Sequence, residues 1–313
     1  MKSFPPIRDA WCLTGPTGSS KSAVGVRLAE LGDAEIVSMD SMAVYRGMDI
    51  GTAKPSREDR ERVRHHLVDV VEPTEEYSIA EYLAAAHLGV NDVRARGRNV
   101  LFVGGTPLYL KALLRGLCSG PEADWDLRNA LASEVERNGP EALHRRLASI
   151  DPRTAQRVHP QDTKRLIRAL EVFELTGEPI SDYQDHFQRE SADATVRVWA
   201  LHWPREMLYD RINHRVDQMF EQGLVDEVQQ LMQTCAAFSR TADQAVGYRE
   251  VVSYLQGDID LETAIQEAKT RTRRLARRQM TWLRRLPECR WITMETSRAP
   301  DQVAQEIAAD TKE

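Results

Sequence analysis

Residues 15–22 read GPTGSSKS and stand between a short apolar run and a segment with Ala, Val and Leu at helical spacing. A Gly-rich turn leading from a strand into a helix points successive backbone N–H groups at one spot, where the helix dipole also favours negative charge. Gly15, Pro16, Thr17, Gly18, Ser19, Ser20, Lys21 and Ser22 are therefore candidates for holding a phosphate group. Lys21 would reach a terminal phosphate, and the Ser22 hydroxyl would contact Mg²⁺. Ser20 stands where such turns usually carry glycine, and its Cβ restricts the backbone there. Asp40 ends a second apolar run, 34–39. In an open parallel sheet that strand end lies beside the phosphate turn. A carboxylate there could bind metal, accept a proton or cap a turn. Thr106, in GGTP at 104–107, closes another run at the same edge. Its hydroxyl could contact phosphate or hold Asp40.

The elements that must position these groups follow from periodicity. Residues 10–14 read as a buried strand, 23–31 as a helix and 34–39 as a second strand. Strand, turn, helix and strand make a βαβ start and predict a parallel sheet. Runs 66–71 and 99–103 are expected as further strands, with a helix over 78–96 between them. Composition changes near Gly120, after which 127–138, 141–149 and 162–176 read as helices punctuated by Pro140, Pro152, Pro160 and Pro179. Residues 196–202 return to the sheet, 205–218, 224–234 and 260–286 are helical, and 290–293 form an edge strand. The expected fold is α/β: a P-loop NTPase-like parallel sheet core in two parts, 1–119 and 193–313, with an inserted helical domain over 120–192.

Apolar residues make up 42% of the 313-residue chain and charged residues 29%, a composition that excludes a disordered chain. No apolar run is long enough for a membrane span, and residues 1–9 lack the apolar core of a signal peptide, so a cytoplasmic protein is expected. Cys12, Cys118, Cys235 and Cys289 show no metal-ligand spacing and are read as reduced thiols. The His65-His66 doublet opens an apolar run and is read as strand packing. Net charge is -6, yet eight basic residues and no acidic one fall between 268 and 286. Ala268, Thr272, Leu275, Gln279, Trp282 and Leu286 form a packing stripe that the arginines mostly avoid. An all-basic stretch in an acidic chain suits polyphosphate or a nucleic-acid backbone; Arg273, Arg274, Arg277 and Arg278 are its central candidates.

The chain resembles the bacterial tRNA dimethylallyltransferase, or tRNA isopentenyltransferase, family. The resemblance is carried by GPTGSSKS (15–22), MDSMAVYRGMDIGTAKP (39–55), FVGGTPLYLKALLRGL (102–117), HPQDTKRLIRALEVFELTG (159–177), QAVGYREVVSYL (244–255) and ARRQMTWLRR (276–285). It implies a core that binds dimethylallyl diphosphate rather than ATP, and a helical insertion that helps hold the anticodon stem-loop. It also implies Mg²⁺ as cofactor, a monomer, and transfer to adenosine-37 of tRNAs reading codons that begin with U. Thr17 and Lys21 correspond to the residues that meet the diphosphate, Asp40 to the catalytic aspartate and Thr106 to the GGT threonine. Asp40 and Ser22 are the implied metal contacts. The stretches implied to touch tRNA are Asp40, Ser41, Met42 and Ala43; Gln161, Asp162, Thr163, Lys164 and Arg165; and Gln244, Ala245, Val246, Gly247, Tyr248 and Arg249, with Arg128 a further candidate. The chain departs from the family at Ser20, usually glycine, and at Ala43, often glutamine. A free adenine nucleotide as prenyl acceptor, a P-loop kinase and a non-catalytic RNA binder are the rival readings.

Overall fold

A computed structural model describes residues 3–118, 120–183 and 197–311. The chain forms two compact units, Ile7–Leu114 with Ser191–Glu313, and Met1–Pro6 with Arg115–Glu190.

The larger unit is built on six strands: β1 (Trp11–Thr14), β2 (Ala34–Ser38), β3 (His65–His66), β4 (Asn99–Gly104), β5 (Arg197–His202) and β6 (Cys289–Thr293). They lie in the order β3-β2-β4-β1-β5-β6, and every pairing is parallel. Parallel strands covered on both faces read as continuous apolar runs rather than alternating ones. All five β2 residues are buried. The charged one, Glu35, accepts two bonds from Arg96 and one contact from His66 Nε2 at 2.7 Å. The core joins Leu13, Val26, Leu28, Leu101, Trp199 and Ile212.

Local signals account for most helix ends. Ser78 and Glu81 form a reciprocal capping box at the start of the helix Ile79–Ala95. Asp260 caps the long helix Leu261–Leu283 by accepting from the Thr263 N–H. The run expected as a strand over 66–71 is a strand only at His65–His66, with one further parallel bridge from Val71 to Tyr45, because Leu67 and Asp69 have φ of 61° and 57°. Those left-handed residues end the extended backbone. The helices Arg57–Arg62, Tyr248–Leu255 and Pro300–Asp310 were not anticipated from periodicity. In Leu261–Leu283 the buried residues are Ala264, Ala268, Ala276 and Leu283; of the expected stripe, Ala268 and Leu286 are buried and Thr272, Leu275, Gln279 and Trp282 are half-buried.

The smaller unit packs the helices Trp125–Asn138, Pro140–Ile150 and Thr163–Thr176 around Leu131, Leu143, Leu147, Leu166 and Leu170. Its Ser3–Phe4 segment pairs antiparallel with Leu117–Cys118. Glu171 is buried, and Arg128 binds it bidentately at 2.8 and 2.9 Å, Arg168 at 2.6 Å and the Asp124 N–H at 2.8 Å. Burial alone would raise the Glu171 carboxyl pKa, but these partners outweigh it and hold the carboxyl below its ordinary range. All four cysteines are free. Among the described residues no helix is long and apolar enough to cross a membrane.

Candidate active site

The turn 15–20 joins β1 to the helix Lys21–Leu31, at the carboxyl edge of the sheet. Ligands of open α/β sheets bind at this edge, where neighbouring strands lead away in opposite directions. Ser20 is the N-cap of that helix and lies in the left-handed region, with φ 69° and ψ 15°. The strain of a Cβ in this conformation is offset by a bond from Arg211, whose Nη2 donates to Ser20 Oγ at 2.6 Å. Arg211 Nε also donates to the Gly18 carbonyl at 3.0 Å, and its guanidinium stacks 4.3 Å above the Trp203 ring. The indole of Trp203 in turn donates to the Ser19 carbonyl at 3.2 Å. Carbonyls on the outer side of the turn are thus occupied by the helix Arg205–Glu221 and the residues just before it.

Lys21 Nζ rests 3.4 Å from the Pro16 carbonyl. Burial lowers the Lys21 pKa to about 8; Asp40 acts to raise it and Arg215 to lower it further. Arg215 is itself pushed down by burial and raised by Asp40. Two cations and one carboxylate therefore influence one another electrostatically. An anionic ligand would relieve the repulsion between the two cations. Arg215 also lines a cavity of about 610 Å³ together with Asp49, Lys54, Arg60 and Met219.

Asp40 follows β2 and is half-buried. Its Oδ1 accepts the Met42 N–H at 2.9 Å and the Ala43 N–H at 3.4 Å. Thr106 Oγ1 accepts the Ser41 N–H at 3.1 Å, next to Asp40. Gly104 permits this approach, since a Cβ there would collide with the Met39 carbonyl. Gly15, Pro16, Thr17, Gly18, Ser19, Ser20, Lys21, Asp40 and Thr106 are therefore gathered at one edge by β1, β2 and β4. Ser22 lies in the first turn of the helix with an exposed side chain.

The loop after Asp40 has its own frame. Lys54 is almost fully buried and donates to Asp49, Asp69 and the Tyr45 carbonyl. Glu227 accepts the Asp49 and Ile50 N–H groups at 3.1 and 2.8 Å, and the Tyr248 hydroxyl at 2.5 Å. This carboxylate links loop 40–55 to segment 244–249, two stretches far apart in sequence. Within those stretches Ala43, Ala245, Gly247 and Tyr248 are buried, Val246, Ser41 and Met42 are half-buried, and Gln244 and Arg249 face solvent. In the smaller unit Gln161, Lys164 and Arg165 are exposed, Thr163 is half-buried, and Asp162 caps the helix Thr163–Thr176. On the basic helix Arg274, Arg277 and Arg278 are exposed, whereas Arg273 is held by Asn213 at 2.5 Å and Thr270 at 2.9 Å.

The sequence model of the IPP transferase family matches residues 43–286. This chain belongs to the IPP transferase family. A tRNA dimethylallyltransferase of Pelotomaculum thermopropionicum is 45% identical over 301 residues, covering 96% of this chain and 95% of that protein. One of Rhodopirellula baltica is 44% identical, covering 95% and 92% of the two chains. The solved tRNA isopentenylpyrophosphate transferase of Bacillus halodurans has a TM-score of 0.71 at 38% identity, with 97% of this chain and 96% of that one covered. A eukaryotic dimethylallyltransferase acting on tRNA gives a TM-score of 0.83 at 26% identity, with 97% and 79% covered. The parallel sheet with its inserted helical region is therefore the architecture of IPP transferases.

Sequence reading of this family member missed Arg211, Arg215 and Gln279. The two arginines are four residues apart beside the buried positions Leu208, Ile212 and Val216, a spacing that places both near the packed face of one helix. Gln279 had a signal of its own, a polar residue within an otherwise packing stripe.

Proposed function

We propose that this protein transfers the dimethylallyl group of dimethylallyl diphosphate to the N6 amine of adenosine-37 in the anticodon loop of tRNAs that read codons beginning with U. The observation that carries the reading is the grouping of a Gly-rich turn, Lys21, Arg215, Asp40 and Thr106 at one sheet edge in an IPP transferase. The turn is P-loop NTPase-like, and we assign it to the diphosphate of the donor rather than to ATP.

The chemistry is a substitution at the allylic C1. A bond forms between N6 of adenine and C1, the C1–O bond breaks, and its electron pair leaves on the diphosphate. The N6 amine is a weak nucleophile because its lone pair is delocalised into the ring. Asp40 orients the amine and takes its proton. Lys21, Arg215, the Thr17 hydroxyl and the N–H groups of the turn balance the charge that grows on the diphosphate. Among the described residues no three His, Cys, Asp or Glu side chains gather as a metal cage. The Asp40 carboxylate at the strand ends and the exposed Ser22 hydroxyl in the first turn of the helix are hard oxygen donors, a type that suits a small hard cation. Ser22 and Asp40 would hold Mg²⁺, which supplies further neutralisation of the leaving group. Adenine must leave its loop stack to reach Asp40, and the cost of flipping is lowest for an unpaired base.

The exposed residues Gln161, Lys164, Arg165, Gln244, Arg249, Arg274, Arg277 and Arg278 are assigned to tRNA. The buried members of the same stretches shape them. Incubation of the protein with labelled dimethylallyl diphosphate and Mg²⁺ tests the reading, with tRNA, an anticodon stem-loop, AMP or no acceptor. Label should enter the first two RNAs. Transfer to AMP alone would assign the protein to free nucleotides, and in a parallel incubation with ATP, phosphate release without any prenyl transfer in the first would make it a phosphotransferase.

A further inference from the structure

Gln279 stands on the basic helix Leu261–Leu283 and reaches the strand ends with both atoms of its amide. Its Oε1 accepts the Thr17 N–H at 2.9 Å, and its Nε2 donates to the Gly105 carbonyl at 2.7 Å. These backbone groups belong to the turns after β1 and β4, which are neighbours in the sheet. A carboxamide is suited to this bridge because it offers a donor and an acceptor that do not change with pH. The space for it depends on glycine: a Cβ on Gly105 would lie 2.8 Å from Gln279 Nε2. Thr106, the next residue, holds the Ser41 N–H beside Asp40. Thus one side chain connects the residue assigned to the diphosphate, the turn that supports Asp40 and the helix that carries the exposed arginines.

We propose that Gln279 is a positioning residue for prenyl transfer, fixing the turn at Thr17 against the turn at Thr106 so that the donor's diphosphate is held in register with Asp40. This rests on the function proposed above. Gln279 makes no contact with the reacting atoms. It acts by holding Thr17 and Gly105 at a set separation, and a bridge lost should loosen diphosphate binding and the alignment of donor and acceptor together. A residue that merely satisfied two backbone groups would alter stability and leave diphosphate affinity alone.

The test compares Q279M, which removes both bonds at similar length, with Q279E. Titration of inorganic diphosphate reads binding, steady-state transfer reads KM for dimethylallyl diphosphate and kcat, and thermal unfolding reports the fold. Q279M should weaken diphosphate and raise the donor KM by about tenfold, a loss that a small misplacement of positioned groups can cause. Its kcat should also fall, while tRNA affinity without donor stays within about twofold of wild type. The carboxylate that Q279E introduces could still accept from Thr17 when ionised but would repel the Gly105 carbonyl; in its protonated form it restores both bonds. Hydrogen bonding to the neutral form raises a carboxyl pKa. The diphosphate affinity of Q279E, taken relative to wild type at each pH, should therefore recover as pH falls from about 8 to about 5.5. If Q279M does not fold, the pH profile of Q279E decides alone. Diphosphate affinity equal to wild type at every pH in the folded variants overturns the proposal. Failure of the underlying reading would look different, since the wild-type protein would then transfer no prenyl group to tRNA.

Discussion

At Asp40, two backbone N–H groups bind Oδ1 and leave Oδ2 with no hydrogen bond from a described residue. A carboxylate held in this way is oriented before substrate arrives, which suits a general base. Asp40→Asn keeps the shape but cannot take the proton, so kcat and kcat/KM should fall together by about 10²- to 10⁴-fold. Single-turnover transfer at saturating tRNA and donor, across a range of Mg²⁺, checks this; rescue by high Mg²⁺ would reassign Asp40 to metal binding. Lys21 carries a second prediction. Its pKa of about 8 lies below the ordinary lysine value of 10.5, so the free protein loses this charge as pH rises through about 8. Donor kcat/KM should decline above that pH, and Lys21→Arg should lack the inflection, because a guanidinium keeps its proton. The linked stability has the opposite sign. Between about 8 and 10.5 the unfolded chain binds the proton that folded Lys21 has lost, so this site's contribution to stability rises with pH. Ser20 supplies a third. Ser20→Ala keeps the left-handed strain and loses the Arg211 bond, whereas Ser20→Gly loses the bond and the strain. The glycine variant should be the more stable of the two by about 1 kcal/mol in urea unfolding, and the reverse order would show that the strain is absent.

Among the elements, the basic helix divides its arginines by what already holds them. Arg273 is bound to Asn213 and Thr270, and Arg271 to the buried Glu250. The guanidinium groups of Arg274, Arg277 and Arg278 have no hydrogen-bond or ion-pair partner among the described residues, and these residues face solvent. Alanine at a residue that contacts RNA phosphate should weaken tRNA binding and lower the slope of log affinity against log salt by about 0.7 to 0.9 per contact. That effect is expected at 274, 277 and 278 and should be smaller at 273, with diphosphate binding unchanged in all four. Wild-type slopes in the three exposed variants would make this face a solvated surface only. The neighbouring loop 40–55 shows the same division of labour: Lys54 and Glu227 are spent on shape, and fewer of its polar groups remain for a partner.

For the molecule as a whole, two separate cores carry different duties. The larger unit gathers the proposed donor site at its sheet edge. The smaller unit has a leucine-rich core of its own and holds the Arg128–Glu171–Arg168 cluster. Arg128, one of the candidates for RNA contact, is bound at both ends of its guanidinium fork to a carboxylate with no exposure. Its removal leaves Glu171 with fewer partners in a buried place. Arg128→Ala should therefore lower stability by about 1–3 kcal/mol, read by thermal unfolding. An unchanged melting temperature together with weakened tRNA binding would return Arg128 to the RNA surface.

The sequence by itself determined what is local. Strand, Gly-rich turn and helix at 11–31 are legible because periodicity and turn chemistry act over a few residues, and the parallel sheet follows from their order. Asp40 and Thr106 could be placed at one edge because both end apolar runs. Motif spacing carried the chain into its family. Tertiary structure decided what depends on distant neighbours. Gln279 lies 262 residues from Thr17, and no local pattern links an amide on a basic helix to a backbone N–H in a turn. Arg211, Arg215 and Glu227 are likewise ordinary charged helix positions until packing turns them toward the turn, the strand ends and loop 40–55. The short β3 shows the same rule in reverse: its apolar run suggested a strand over 66–71. The backbone bends away after His66, where Asp69 is drawn to Lys54 and Arg60. The alternation of the run holds no sign of these ion pairs or of the left-handed backbone at Leu67 and Asp69.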